Sequence, residues 1–128
     1  MVERVATDDA LSNEDLPFSQ AIIHGDTVYV SGQVGTDPET DEVVDGGIRA
    51  ETRQTMENVS AILSAAGTSM DNVVKTMVFL NDVDEFAEFN EVYCEYIQEP
   101  LPARSAFEVG DLAIDIAVEI EVIAALEE

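Results

Sequence analysis

From Ala113 to Ala125 the chain alternates: Ile114, Ile116, Val118, Ile120 and Val122 stand on one side, and Asp115, Ala117, Glu119, Glu121 and Ile123 on the other. A period of two is a strand period, because successive side chains leave a pleated backbone on opposite faces. A strand this long needs neighbours along its edges and an apolar layer over its aliphatic face. The remaining residues must therefore supply a sheet and something to cover it.

They supply both. Ile22-Ile23 and Thr27-Val28-Tyr29-Val30-Ser31 flank Gly25-Asp26, a pair suited to a tight reversal, and read as a β-hairpin. Residues 35–47 are polar and turn-rich and lead into a helix, with Asp45 as its expected cap. From Ile48 to Ala66 the positions Ile48, Thr52, Met56, Val59, Ile62, Leu63 and Ala66 follow the helical period, and Gly67 provides the left-handed stop. Arg49, Arg53 and Glu57 share its outer face as a solvated charge ladder. Val73 to Leu80 is a strand ending at Asn81-Asp82. A second helix is expected over Val83 to Gln98, with Phe86, Phe89, Tyr93, Tyr96 and Ile97 as its core-facing stripe.

Pro100-Leu101-Pro102 ends that helix and forces an extended approach to a strand over Ala103–Val109. Gly110-Asp111 then turns the chain into the final strand. With a short strand near Arg4 to Thr7, the order is β-β-β-α-β-α-β-β. This predicts one α+β domain of residues 1–128, a mixed six-stranded sheet with two helices on one face. The other face lacks cover, which implies burial against further copies of the chain.

Charge restricts the partners. There are 28 acids against 5 Lys+Arg, a net charge of −23. A nucleic-acid binder needs cations to displace counterions from phosphates, and an anionic membrane makes the same demand. Only Arg4, Arg49, Arg53, Lys75 and Arg104 are available, so neither nucleic acid nor membrane is expected as a partner. The acids are dispersed, from Asp8-Asp9 and Glu14-Asp15 to Glu127-Glu128, which marks a general surface property. Such self-repulsion opposes the compact state, and molar salt screens it by shortening the Debye length to about 3 Å. The composition therefore implies the cytoplasm of a high-salt organism. Thermal unfolding in KCl tests this: stability is expected to rise from low to molar salt, and an unchanged midpoint would refute it. Cys94 is the single cysteine and is expected to be a buried thiol in the second helix. The N-terminal residues lack the apolar core of a signal peptide, and no apolar run approaches a membrane span.

No Gly-rich phosphate loop, metal-ligand cluster or nucleophile–base pair is present, and His24 sits at the hairpin turn. No metal or organic cofactor is expected. Arg104 lies among Leu101, Ala103, Ala106 and Phe107, where a guanidinium suits either a planar carboxylate ligand or an internal ion pair with one of the acids. Glu119 shares its strand face with Asp115 and Glu121. It belongs either to a solvated acidic face or, if partly buried, to a site that orients water and moves protons.

Leu16-Pro17-Phe18-Ser19-Gln20-Ala21, Val30-Ser31-Gly32-Gln33-Val34, Pro102-Ala103-Arg104-Ser105 and Glu119-Ile120-Glu121-Val122-Ile123-Ala124, with Gln54–Gly67 and Val74–Leu80 between them, resemble the RidA/YjgF family of small enamine/imine deaminases. The resemblance implies a chorismate-mutase-like fold assembled as a homotrimer, with sites in the clefts between subunits. It implies that Arg104 holds the substrate carboxylate and that Glu119 positions the attacking water. Phe18, Ser31, Gly32, Asn90 and Ala106 would line the pocket. The implied reaction is cofactor-free hydrolysis of 2-aminoacrylate-type enamines and 2-imino acids, such as 2-iminobutanoate and 2-iminopropanoate, to 2-keto acids and ammonia. Its implied role is protection of pyridoxal-phosphate enzymes. Phe18 stands where many members carry tyrosine, and Ala106 where many carry cysteine. The alternative is a non-catalytic module that senses small carboxylates, such as 2-keto acids, in the same cleft. A nuclease role conflicts with the charge.

Overall fold

Apolar residues spaced three and four apart between Ile48 and Ala66 make one face of a helix insoluble, and that face organises the fold. The computed structural model describes residues 2–11 and 16–126. It places helix α1 at Gly47–Ala66. Met56, Val59, Ile62 and Leu63 of α1 are fully buried against Val28, Val78, Val118 and Ile120 of a six-stranded sheet. Its strands are β1 (Val2–Val5), β2 (Ala21–His24), β3 (Thr27–Gln33), β4 (Val73–Leu80), β5 (Ala103–Glu108) and β6 (Val118–Ala125). Their spatial order is β1-β2-β3-β6-β4-β5, and only β4 and β5 run parallel among the paired strands. Helix α2 (Phe86–Tyr93) packs beside α1 on the same face.

The α+β architecture thus matches the sequence expectation, as do the hairpin at Gly25, the left-handed Gly67 stop and the bounds of β4. Several details differ for physical reasons. The last strand starts at Val118 instead of Ala113. Leu80 pairs with Val118, and β4 ends there, so the residues upstream have no strand to pair with. They are pinned instead by the Glu51 carboxylate, which accepts the Ala117 N–H at 2.8 Å, and by the Asn81 N–H, which donates to the Ala117 carbonyl. Ile114 is left 52% exposed.

The second helix is also shorter than its apolar stripe. Val83–Glu85 is a 3-10 turn, and after Tyr93 the N–H groups of Glu95 and Tyr96 reach back three residues. This tighter winding ends the α-helix while Ile97 stays buried. Cys94, expected to be buried, is exposed, because it lies off the line through Phe89 and Tyr93. Asp45 does not cap α1: Gly46 is the cap residue, with φ 118°, and no side chain bonds to the helix start. The first strand occupies Val2–Val5, nearer the terminus than Arg4–Thr7. The acid pairs Glu14-Asp15 and Glu127-Glu128 lie outside the described residues.

Arg49 and Arg53 do not form a ladder along α1 but reach across to α2 and the turn that follows it. Arg49 donates to Glu91 and sits 3.7 Å from Glu88, and Arg53 grips Glu95 through two bonds of 3.0 and 3.1 Å. The bare sheet face remains open. Tyr29, Met77, Phe79, Phe107 and Ile123 lie on it, with Phe79 and Phe107 in edge-to-face contact at 5.3 Å.

Candidate functional site

The expected site residues separate into two groups on opposite faces of the sheet. Arg104 pairs in register with the buried Thr76, and its side chain therefore leaves β5 on the helix-covered face. There α2 provides a seat. The guanidinium lies 5.3 Å from the Phe86 ring centroid and 4.9 Å from that of Tyr93, and it donates to Asn90 Oδ1 at 2.7 Å. Spacing on the helix explains the arrangement, since residues 86, 90 and 93 fall on one side of α2. Tyr93 is fixed in turn by a 2.9 Å hydrogen bond between its hydroxyl and that of Thr76.

In a chain with 28 acids, Arg104 pairs with no carboxylate among the described residues. The internal ion pair left open by the sequence is thus not formed with any described acid. Arg104 instead borders a cleft of about 380 Å³ with Asn90, Tyr93, Cys94, Ile97, Leu101 and Pro102. A rigid cation with unused donors beside an apolar wall is the arrangement a ligand carboxylate needs.

Glu119 lies on the other face of the sheet, paired with Phe79. It is half-buried, and burial, with a smaller contribution from the like charge of Glu121, pushes its carboxyl above the usual carboxylate range. Glu119 is thus partly withdrawn from solvent. Gly32 makes room for it: a Cβ at Gly32 would lie 2.0 Å from Glu119 Oε2. Phe18, Gly32 and Glu119 line one cavity of about 260 Å³. Gln20 holds the wall of that cavity in place. Its side chain accepts the Thr7 N–H at 2.6 Å and donates to the carbonyls of Thr7 and Leu11.

Ser31 and Ala106 take other positions. The Ser31 hydroxyl donates to the Ser19 carbonyl at 2.6 Å, and Ser31 shares a shallower depression with Phe18, Ile22, Tyr29 and Glu121. Ala106 lies two residues beyond Arg104 on the same face and packs against the core. His24 is exposed at the end of β2. Among the described residues, no group of three or more His, Cys, Asp or Glu is placed to hold a metal ion. No helix among them is long and apolar enough to cross a membrane.

Sequence reasoning missed Ile114, whose alternation pattern assigned it to a strand, and the dual role of Tyr93, which is both core and ring partner of Arg104. The latter had a signal, since an asparagine flanked by aromatics three and four residues away can seat a cation.

Arg104 and Glu119 cannot meet within one chain. They point from opposite faces, and β4 separates their strands.

The family model described as Endoribonuclease L-PSP matches residues 9–126. A RutC family protein of Pyrococcus horikoshii is 50% identical over 108 residues, 84% of this chain and 86% of that protein. A 2-iminobutanoate/2-iminopropanoate deaminase of Mus musculus is 47% identical over 108 residues, 84% of this chain and 80% of that protein. The crystal structure of RidA from the Antarctic bacterium Psychrobacter sp. superposes with a TM-score of 0.92 at 44% identity, covering 97% of this chain and 99% of that one.

Proposed function

The chain belongs to the RidA/YjgF family, and from that premise we propose that it hydrolyses 2-imino acids to 2-keto acids in sites shared between copies of a homotrimer. The observation that carries this reading is Arg104, an exposed guanidinium oriented by Asn90 and two rings and free of any internal carboxylate among the described residues. The Arg104 cleft of one copy would close on the Glu119 cavity of the next, with the open sheet faces meeting at the centre. Phe18, Ser31, Gly32, Asn90 and the Ala106 backbone would complete the pocket.

The chemistry follows from those two groups. A 2-aminoacrylate-type enamine tautomerises to a 2-imino acid, whose protonated C=N carbon is electrophilic. Arg104 binds the carboxylate and so turns attack into an oriented step. Glu119 accepts a proton from water as oxygen adds to that carbon and delivers it to nitrogen, then takes the hydroxyl proton as the C–N bond breaks and the carbonyl forms, and passes it to the departing ammonia. The C=NH2+ group and water become C=O and ammonium, with no change of oxidation state. A carboxylate pushed up by burial is a better base than an ordinary one, and its proton is matched more closely to neutral pH.

An RNA substrate is disfavoured, since Arg49 and Arg53 are already engaged by Glu88, Glu91 and Glu95. Removal of reactive enamines released by pyridoxal-phosphate enzymes is the cellular role we attach to this activity.

The test is keto-acid and ammonium release from freshly generated 2-aminoacrylate. Turnover above the buffer rate is expected. Buffer-rate decay accompanied by tight 2-keto acid binding would instead establish a sensing module, a reading favoured by Phe18, which brings no hydroxyl to the Glu119 cavity. The pH profile adds a second check. Because Glu119 acts ionised, kcat/KM is expected to fall as pH drops through its raised pKa, above the ordinary carboxylate range, and Glu119→Gln should remove that limb. A raised pKa also means that the folded state favours the protonated form, so its stabilising contribution fades as pH rises through that pKa. Glu119→Gln should therefore raise the melting temperature at neutral pH.

A further inference from the structure

The cavity beside Glu119 is larger and more apolar than hydrolysis of a three-carbon substrate requires. It measures about 260 Å³, and Leu11, Leu16, Phe18, Val34, Ala113 and Ile114 line it. A cavity of roughly 150 Å³ with apolar walls already accepts benzene. Phe18 is 55% exposed, Ile114 52% and Leu16 36%, so three of the chain's exposed large apolar side chains gather around this concavity. Two of its polar side chains are engaged elsewhere: Gln20 bonds to Thr7 and Leu11, and the Gln33 amide donates to the Ser31 carbonyl at 3.3 Å. Arg4 also borders the cavity and is exposed.

We infer that this cavity receives the substrate side chain and that the protein selects 2-imino acids bearing branched aliphatic or aromatic side chains. The inference rests on the deaminase reading for its reaction and on the cavity for its selectivity. The imine carbon is trigonal, bonded to carboxylate, nitrogen and side chain. With the carboxylate drawn to Arg104 of one copy and the carbon facing Glu119 of the next, the side chain is the substituent left to enter the space beside Glu119. A methyl group leaves most of that space unfilled, whereas an isobutyl or benzyl group fills it. Each methylene matched to an apolar pocket changes kcat/KM by about tenfold or more. Ile114 is the selecting residue most open to test, because it sits on the segment pinned by Glu51 and outside the sheet ladder.

An amino-acid oxidase can generate imines in situ from leucine, phenylalanine, alanine and glutamate, with semicarbazide trapping what the protein leaves. The leucine and phenylalanine imines are expected to exceed the alanine imine in kcat/KM by at least about tenfold, and Ile114→Ser should reduce that ratio by about the same factor. Equal or higher values for the alanine imine would overturn the inference while leaving the deaminase reading intact. A preference for the glutamate imine would overturn it in favour of Arg4 as the determinant. A change in assembly of Ile114→Ser with an unaltered ratio would overturn it too, making Ile114 a contact between copies. Calorimetric binding of 4-methyl-2-oxopentanoate against pyruvate separates the two readings. Tighter binding of the larger acid without turnover of any imine supports the cavity and refutes the deaminase, and equal binding refutes the cavity.

Discussion

Arg104→Ala is expected to lower kcat/KM for 2-iminopropanoate by about 10²–10³-fold, the usual cost of deleting one charge-stabilising donor from an active site. Glu119→Gln should do comparable damage through the loss of the base. The informative sample is the two together. If the subunits of a trimer assemble at random from co-expressed Arg104→Ala and Glu119→Gln chains, about one site in four draws an intact arginine from one copy and an intact glutamate from its neighbour. The mixture is expected to recover about a quarter of wild-type activity. Recovery no better than the mean of the two variants would show that each chain carries a whole site, or that one of these residues is not in it. The geometry behind the expectation is simple: Arg104 shares the helix face of the sheet with Thr76, and Glu119 shares the open face with Phe79.

Gly32→Ala is expected to uncouple stability from activity. Its new methyl carbon would fall 2.0 Å from Glu119 Oε2 and 2.9 Å from the carboxyl carbon, and the three nearest atoms all belong to the Glu119 side chain. The tip of a side chain can swing aside, so the folded state should lose no more than about 1 kcal/mol, the lower end of the cost of overpacking. The swing moves the carboxylate away from the water it orients, and a displacement of this size costs about 10²-fold in rate. Activity should thus fall nearly to the level of Glu119→Gln while the melting temperature changes little. Because the two residues act through one contact, Gly32→Ala in the Glu119→Gln background should add almost nothing. A large stability loss with activity retained would refute this account of the glycine.

The parts of this molecule governed by local chemistry were legible before its structure. Gly67 ended α1 because a left-handed residue was needed there, and Gly25 turned the hairpin for the same reason. The α+β architecture and its uncovered sheet face followed from the order of periods along the chain. What was not legible depended on distant residues. The alternation through Ile114 and Ile116 continues past the end of β4, and no pattern within residues 113–125 records where the neighbouring strand stops. Asp45 has the chemistry of a cap, but Gly46 and Gly47, both with positive φ, turn the backbone into the helix beyond it. Arg104 was recognisable as a candidate anion holder, whereas its lack of a carboxylate partner among the described residues depends on where distant acids fall in the fold. The partial burial of Glu119 was not legible either, because burial of one face of a strand is a property of the whole sheet.

The division of labour across the sheet has a consequence for how this chain can diverge. Arg104 is seated by α2 and β5, and the chamber beside Glu119 is lined by Leu11, Leu16, Phe18, the end of β3, Ala113 and Ile114. These segments share no side-chain contact at Arg104, so substitutions that reshape the chamber leave the anchoring of the guanidinium untouched. On the proposed reading, substitutions in the two short segments around Phe18 and Ile114 would retune which imines are accepted without disturbing the group that binds the carboxylate.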